Sequence, residues 1–355
     1  MKTKLILFKY LAIFLFPLLP NIGYAQYVVN NDKINASEIV NKASEGFLEI
    51  NKNLNIRSYD IQAPGKVDSL KLTMIFNPGK IQKEYFVSRV SNMLITNDTI
   101  ILVSKSENRL LLLNLNGKIK GIIGREGAGP KEFRRPSHIV KNKDYYFVND
   151  FGNARVQVFN HKFKYIKSMP LSLYPTTKKL AVNNNYLFAN ASSTVPFVID
   201  SYSLKDLSFK KSQIFPSKFG YFKDLNKFNQ VYEMRVDIST NFTIVYNAVM
   251  PYFYIFDKNC KPLYSVHLKL KAYERLNNDG PIPGFVMLMN DSMLDEDKFY
   301  IHFQNLIYVF DITKKAIIRV FAIPKTANMW CLEKKGNTLY IGSSSGEVYK
   351  CKIDL

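Results

Sequence analysis

The sequence has little cysteine, histidine or helical periodicity, and each shortage excludes a class of protein. Its three cysteines are too few for a disulfide-stapled scaffold. The four histidines show no paired spacing of the kind that zinc ligands have. After residue 25 no apolar stretch reaches the roughly 18 residues that a membrane-spanning helix needs. Only residues 34–50 and 221–234 have the periodicity of an amphipathic helix, which excludes a helical bundle.

The remaining composition is that of a β-rich globular protein. Phe and Tyr number 26 and 22 against a single Trp, a balance that favours packing between β-sheets. The chain is 47% hydrophobic and 22% charged, so it can bury a core and is not a disordered protein.

The first residues have the form of a secretory signal peptide. Lys2, Lys4 and Lys9 form a positive start, residues 10–19 are apolar, and small residues lead up to Ala25. We therefore expect cleavage after Ala25, export to the periplasm or the cell exterior, and no transmembrane segment in the mature chain.

The mature chain would be strongly basic. Without residues 1–25 it has 46 Lys and Arg against 29 Asp and Glu, a net charge of +17. Such a charge favours anionic partners, which for an exported protein would be glycans, peptides or envelope proteins rather than nucleic acid. The alternative is a solvated, lysine-rich surface with no partner, because the basic residues occur singly or in pairs.

A short strand pattern that ends in Asn or Asp recurs along the chain. Each copy is followed by a short basic turn and a further apolar strand. The copies end at Asn114, Asn160, Asp200, Asp257 and Asp311, with a weaker one near Lys350. Their average spacing of about 47 residues is that of a four-stranded propeller blade.

The repeats predict an all-β fold, a six-bladed β-propeller of four-stranded antiparallel blades. The stretch from Glu84 to the end gives about 45 residues to each of six blades. The sixth blade has only three strands before the chain ends, which would leave an open edge. We expect residues 70–76 to supply its fourth strand and so to close the ring.

This assignment divides the chain into three parts. Residues 1–25 are the expected signal peptide, and residues 26–69 form an N-terminal segment that is partly helical or extended. Residues 70–355 form the propeller.

Residues 124–137, GREGAGPKEFRRPS, resemble the linker motif of NHL-type propellers. With NDFGNARVQVF at 149–159 they closely resemble the secreted six-bladed β-propeller family abundant in Bacteroidetes, whose repeats are NHL- or TolB-like. The resemblance covers about residues 70–170 and is only repeat-like beyond them. Lys131 stands where that family usually has Gly, so the turn has to accommodate a side chain. The resemblance implies the fold and export, but no general activity.

The same motif supplies candidate ligand-binding residues. In a propeller the linkers between blades share one face with the turns between second and third strands, which brings the two halves of the motif together. The candidates are Arg125, Arg134, Arg135, His138, Asp150, Asn153 and Arg155. Guanidinium forks suit carboxylate, sulfate or phosphate groups. Bracing of the loop is the alternative role, and it is the stronger one for Asn153 and Arg155.

Two longer insertions are expected on the same face. Residues 216–230 and 272–283 carry aromatic and basic side chains, among them Tyr221, Tyr273 and Arg275. Long loops on a repeat scaffold often bind ligands, and these side chains would suit sugars or peptides. Alternatively the insertions form a cap over the channel mouth.

Two functions remain open. The first is a monomeric, non-catalytic binding propeller without a cofactor, whose ligand lies on the loop-bearing face. The second is a lactonase- or lyase-type enzyme with a metal in the central channel. The enzyme would need a ring of inward polar side chains, for which the candidates are Asp150, His138, Glu233 and Asp237. No acid recurs at equivalent blade positions, so binding is favoured.

Overall fold

The computed structural model describes most of the chain from residue 54 onwards. The described residues are 48, 50–52, 54–80, 83–171, 179–191, 198–206, 208–214, 234–247, 251–270 and 289–355. They form six blades, each a sheet of four or five strands, and one two-stranded sheet between two blades. The inner strands of the blades contact one another in a closed circle, from the first blade to the sixth and back. The predicted six-bladed propeller is therefore confirmed.

The strands follow one another outwards from the channel in each blade. The N-terminal strands are β1 Ser58–Gln62, β2 Asp68–Ser69 and β3 Thr73–Phe76. Blade 1 comprises β4 Asn92–Ile95, β5 Thr99–Ser104, β6 Arg109–Asn114 and β7 Ile119–Ile123, and the linker after it contains β8 Arg125–Glu126 and β9 Glu132–Phe133. Blade 2 comprises β10 Pro136–Lys141, β11 Tyr146–Asp150, β12 Arg155–Phe159 and β13 Tyr165–Pro170. Blade 3 comprises β14 Leu180–Val182, β15 Tyr186–Ala191, β16 Val198–Ser203 and β17 Ser208–Ile214.

The remaining blades have the same order. Blade 4 comprises β18 Met234–Ile238, β19 Phe242–Asn247, β20 Tyr252–Asp257 and β21 Pro262–Lys269. Blade 5 comprises β22 Met289–Asp295, β23 Lys298–Phe303, β24 Leu306–Asp311 and β25 Ala316–Ala322. Blade 6 comprises β26 Met329–Lys335, β27 Thr338–Ser343 and β28 Val348–Lys352. Short 3₁₀ turns occur at Pro78–Lys80, Lys83–Tyr85, Phe151–Asn153 and Lys325–Ala327, and residues 50–52 are helical.

The recurring Asn or Asp closes the turn between the third and fourth strands of a blade. Asn160 Oδ1 accepts hydrogen bonds from the backbone N–H groups of Lys162 and Lys164, at 3.0 and 2.9 Å. Asp257 makes the same two bonds to Asn259 and Lys261. Such a side chain replaces a backbone acceptor in the turn, which explains why the residue type repeats.

Blade 3 departs from this pattern. The sequence places its repeat end at Asp200, but Asp200 lies inside β16. The end of that strand is Ser203, whose Oγ accepts a hydrogen bond from Lys205 N at 3.2 Å. A hydroxyl can fill the same role as a carboxylate there, and this is why the sequence pattern was misplaced by three residues in this blade.

The N-terminal strands cover the outer edges of blades 4, 5 and 6 in turn; we call β1–β3 the N-terminal belt. The expected closure is confirmed, because β3 pairs antiparallel with β28, with Phe76 opposite Val348. The sequence did not predict the other two strands. β1 pairs parallel with β21 of blade 4, and β2 pairs parallel with β25 of blade 5. Blades 4 and 5 therefore each have a fifth strand. The belt covers strand edges that would otherwise be open to pairing with other chains.

The core consists of aromatic and aliphatic side chains packed between neighbouring blades. Between blades 4 and 5, the ring of Phe299 lies 5.4 Å from those of Tyr246 and Phe253, and Phe310 lies 5.0 Å from Phe253. All four side chains are fully buried. Edge-on and tilted contacts of this kind use the large apolar area of each ring, which accounts for the abundance of Phe and Tyr.

Several expectations fall on residues that the structure does not describe. They include the signal peptide at 1–25, the helical prediction for residues 221–233 and both long insertions with Tyr221, Tyr273 and Arg275. Met234, the last residue of the second helical prediction, begins a strand instead. Within the described residues no helix has the length and hydropathy needed to cross a membrane.

Candidate functional site

The linker between blades 1 and 2 is held by side chains of blade 2. The carboxylate of Asp150, fully buried at the end of β11, accepts a hydrogen bond from Arg134 N at 2.7 Å. Its other oxygen accepts from Arg155 Nε at 2.7 Å, Asn153 Nδ2 at 2.9 Å and Gln157 Nε2 at 3.1 Å. We call Asp150, Asn153, Arg155 and Gln157 the linker lock.

The other donors of the lock reach the linker backbone. Arg155 Nη2 donates to the carbonyls of Gly129 and Glu132 at 2.8 and 3.0 Å. Asn153 Nδ2 donates to Gly127 O at 2.9 Å. The bonds from Arg155 are charge-assisted, and such bonds are among the strongest in proteins. The lock therefore fixes a loop that has little regular secondary structure of its own.

Two linker positions show why the loop needs support. Gly124 has φ of +90°, and a Cβ there would lie 2.4 Å from the ring of Phe133, so only glycine fits. Lys131 has φ of +62°, a conformation that side chains disfavour. Its backbone N–H donates to Gln157 Oε1 at 3.0 Å, which holds Lys131 in the turn where the resembling family has Gly.

The linker arginines differ in their surroundings. Arg125 is 82% exposed and forms an ion pair with Glu132 at 2.8 Å. Gly129 N–H and Arg125 together hold the pKa of Glu132 below its usual value. Arg134 is exposed, and its guanidinium meets no partner among the described residues, whereas Arg135 is half-buried and has contacts of its own. The candidate residues thus fall into two groups. Asp150, Asn153 and Arg155 hold the linker in place, whereas the side chains of Arg125 and Arg134 are exposed to solvent.

His138 belongs to a different group, which lines the central channel. Five blades contribute one inner-strand residue, which lies opposite the penultimate residue of the second strand of its blade. In blade 3 the equivalent residue is Lys179, which directly precedes β14. These residues, which we call the channel ring, are Asn92, His138, Lys179, Arg235, Asp291 and Cys331. Five of the six are polar, and all but Asp291 are buried.

The channel ring connects neighbouring blades. Asn92 Oδ1 accepts a hydrogen bond from Ile139 N at 2.9 Å, and His138 Nδ1 accepts from Leu180 N at 3.3 Å. Asp291 Oδ2 likewise accepts from Leu332 N at 3.0 Å. In each case the donor is a backbone N–H group of the next blade, and it belongs to the residue that directly follows the ring residue of that blade. The innermost strand has an unpaired edge, so these side chains satisfy backbone groups that would otherwise be buried alone.

Lys179 is the centre of a buried charge cluster between blades 3, 4 and 5. Its Nζ lies 2.8 Å from Asp237 Oδ1 and 3.6 Å from Asp291 Oδ1. It also donates to Ser292 O at 2.6 Å and lies 3.1 Å from the hydroxyl of Tyr246. Burial opposes the charge on Lys179, but Asp237, Tyr246 and Asp291 outweigh it and raise the pKa of the ammonium.

These acids do not fit a metal site. Lys179 occupies the position between Asp237 and Asp291 that a bound cation would need. Within the described residues no group of three or more His, Cys, Asp or Glu converges as metal ligands do. Asp150, proposed for the channel, belongs to the linker lock instead, and Glu233 lies outside the described residues. We therefore derive no metal-dependent reaction from this channel.

A cavity of about 180 Å³ lies within the channel. Its wall includes Asn92 and His138 of the ring and Glu333 of β26. Burial, helped by the charge of Asp291, raises the pKa of Glu333 to about 8. Burial and the nearby charges of Lys179 and Arg235 hold the pKa of His138 well below its usual value. At neutral pH both side chains are therefore largely uncharged.

Sequence reasoning missed most of the channel. It named His138 and Asp237, but not Lys179, Asp291 or Glu333. The residue types of the ring differ from blade to blade, so they form no visible repeat. The strand register contained a usable signal. Outside blade 3, each ring residue lies opposite the penultimate residue of the second strand of its blade, so its position follows from the predicted end of that strand.

Comparison with known proteins gives the family. A sequence model of the DUF5128 family, described as a 6-bladed beta-propeller, matches residues 51–269. No curated protein is similar enough in sequence to match. The fold is similar to that of a Bacteroides fragilis protein inferred to be exported, with a TM-score of 0.58 and 10% identity over 84% of this chain and 100% of that one.

A second solved structure with a similar fold is the virginiamycin B lyase of Staphylococcus aureus. It has a TM-score of 0.52 and 10% identity over 81% of this chain and 99% of the lyase. At such identities both likenesses concern the fold alone. The family match spans more than half of the sequence and agrees with the observed blades, so the chain belongs to the DUF5128 family of six-bladed β-propellers.

Proposed function

We propose that this protein is an exported, non-catalytic binding propeller that takes an anionic ligand on the face bearing the linkers. The observation that carries the proposal is the linker lock. Four side chains, including the buried carboxylate of Asp150, hold a surface loop in one conformation. Beside them Arg134 is exposed, with no described partner for its guanidinium.

A fixed loop suits binding because its conformational entropy is already lost before the ligand arrives. Arg134 presents a planar group that can bind carboxylate or sulfate through two parallel hydrogen bonds. Arg125 keeps Nε and Nη2 on Glu132 and would add the rest of its exposed guanidinium to such a ligand. The net charge of +17 on residues 26–355 would attract such a ligand at long range. An acidic glycan, an acidic peptide or an acidic patch on an envelope protein has this chemistry, and the signal-peptide pattern supports export.

Binding of fluorescently labelled alginate, a carboxylated polysaccharide, tests the proposal. Fluorescence anisotropy would compare the wild type with the double variant Arg125→Ala/Arg134→Ala, using neutral dextran as the control ligand. The matched protein control is Lys162→Ala/Lys164→Ala, which removes the same charge from exposed side chains in a turn on the opposite face.

The arginine variant should bind alginate at least about tenfold more weakly and show a smaller salt dependence, because fewer charges take part. The lysine variant should bind as the wild type does. Equal losses in the two variants would mean that only net charge matters and would reject a site on the linker face. Melting temperatures of both variants should stay close to that of the wild type, since the substituted side chains are exposed.

A further inference from the structure

The channel cavity lies away from the linker face. Its lining extends to Lys141, Val182 and Ile238, which are the last residues of β10, β14 and β18. These strands run from the linker face to the opposite face, so the cavity lies towards the latter. Its volume of about 180 Å³ exceeds the roughly 150 Å³ of an engineered cavity that accepts benzene. It can therefore hold a molecule of about six to ten non-hydrogen atoms.

In one half of the cavity wall the charged and polar side chains already bind one another. In blades 3, 4 and 5, Lys179 is surrounded by Asp237, Asp291 and Ser292. The Oγ of Ser292 also donates to Asp237 Oδ2 at 2.6 Å. A ligand would have to break strong bonds to compete for these groups.

The other half, in blades 1, 2 and 6, presents polar groups to the cavity. Asn92 and His138 are 7% and 8% exposed, and each uses one acceptor atom to bind the next blade. Because His138 Nδ1 accepts, its neutral ring carries the proton on Nε2. Within the described part of the chain, neither this N–H nor the Asn92 amide N–H₂ meets a protein acceptor. Both donors belong to residues that line the cavity.

Glu333 is the third group of this half. The cavity is lined by three carboxyl groups, Asp237, Asp291 and Glu333, while the ammonium of Lys179 is taken by the first two. No described cation pairs with Glu333, and Lys141 lies at the exposed margin. The wall therefore offers a carboxyl group without a cationic partner at Glu333 and two donors without an acceptor at Asn92 and His138.

We propose that the cavity binds a small amine that also carries an oxygen acceptor, the chemistry of free amino acids and amino alcohols. The protonated amine pairs with the carboxylate of Glu333. The oxygen accepts hydrogen bonds from His138 Nε2 and Asn92 Nδ2. This site is separate from the linker face, so its ligand and a polyanion can bind together.

Binding is coupled to a proton. Free Glu333 holds its proton up to about pH 8, so the amine displaces that proton into the solvent. Affinity should therefore rise about tenfold between about pH 6 and pH 7 and level off above pH 8. The charged and ionisable groups around Glu333 are Asp237, Asp291, Lys179, His138 and the thiol of Cys331. Burial lowers the pKa of His138 and raises that of Cys331, while the neighbouring carboxylates raise the pKa of Lys179.

Calorimetry on the mature protein tests the proposal with free amino acids of up to about ten non-hydrogen atoms as probes. At about pH 8.5 at least one should bind with a Kd below about 1 mM. The best probe is then compared with its deaminated and its decarboxylated forms; for L-valine these are isovalerate and isobutylamine. Both should bind at least about tenfold more weakly, because each lacks one of the two groups.

The variant Glu333→Gln should lose at least about tenfold in affinity and lose the pH dependence, while Glu126→Gln, an exposed acid on the linker face, should change neither. Binding of isovalerate as tight as that of L-valine, or full binding by Glu333→Gln, would overturn the proposal. Absence of binding by every probe would do the same. If Glu333→Gln does not fold, the pH dependence of binding by the wild type tests the proposal, and an affinity that does not rise between about pH 6 and pH 7 would overturn it. Alginate binding is measured in parallel, so that failure of one site is distinguished from failure of the other.

Discussion

Arg155 Nε lies 2.7 Å from Asp150 Oδ2, and Asp150 is fully buried beneath the linker that both residues hold. A buried carboxylate is stable only while its hydrogen bonds are complete. The contact therefore makes blade 2 and the linker one structural unit.

The first prediction concerns this contact. Asp150→Ala removes the acceptor of four hydrogen bonds and leaves Arg155 without its counterion, so the free energy of unfolding should fall by about 3–5 kcal/mol. Arg125→Ala breaks an exposed ion pair and should cost less than about 1 kcal/mol. Urea titrations followed by circular dichroism measure both. Similar losses in the two variants would show that Asp150 does not hold the linker.

The second prediction concerns closure of the ring. Phe76 is 4% exposed and lies opposite Val348, whereas Met74 in the same strand is 45% exposed. Phe76→Ala should reduce the free energy of unfolding by about 3–5 kcal/mol, because it leaves a cavity in the core. Met74→Ala should cost much less. Thermal unfolding would check the pair, and equal melting temperatures would contradict the pairing of β3 with β28.

The third prediction concerns Lys179. Lys179→Met leaves Asp237 and Asp291 facing each other without a cation, and the loss of stability at neutral pH should be about 3–5 kcal/mol. The loss should shrink at acidic pH, where protonation of the two carboxylates removes their repulsion. Lys143→Met, at an exposed turn, is the control and should have little effect at either pH. A loss that does not depend on pH would point to packing rather than charge.

The fourth prediction concerns the pH dependence caused by Glu333. Its pKa in the folded protein is about 8, compared with about 4.3 for a glutamate in an unfolded chain. The folded state therefore holds a proton that the unfolded state has lost, and stability from this group falls as pH rises from about 4.3 to 8. Glu333→Gln stays neutral and should not show this fall.

The measurement is the stability difference between the two proteins at about pH 5 and pH 8.5. Relative to the wild type, Glu333→Gln should gain more than about 1 kcal/mol over this interval, because one pKa unit corresponds to about 1.4 kcal/mol. An unchanged difference would mean that Glu333 titrates normally. Glu126→Gln serves again as the control.

The sequence predicted the blades well because their signals are local. In blade 2 the alternation of apolar residues and the turn residues predict strands at 137–141, 145–150, 155–160 and 165–171. Each observed boundary lies within one residue of these. Alternating side chains and turn residues such as Asn142, whose side chain accepts from Tyr145 N at 2.9 Å, determine these strands without help from the rest of the fold.

The N-terminal belt and the channel could not be read in this way. β2 is only two residues long, and its partner Phe321 is far away in the sequence. The channel ring is defined by its level in the sheets, and its side chains vary from amide to imidazole to ammonium. Glu333 becomes distinctive only because it is buried and Asp291 of the preceding blade lies near it, features that no local pattern reveals.

The N-terminal belt also sets the order in which this protein can be completed. Ser58, Asp68 and Phe76 each pair with a residue more than 200 positions later, at Ser265, Phe321 and Val348. A growing chain therefore makes its first strands long before their partners exist, and closing such long loops carries an entropic cost that slows folding. Loss of the last few residues would remove β28 and release β3 as well, so damage at one end of the chain frees the other.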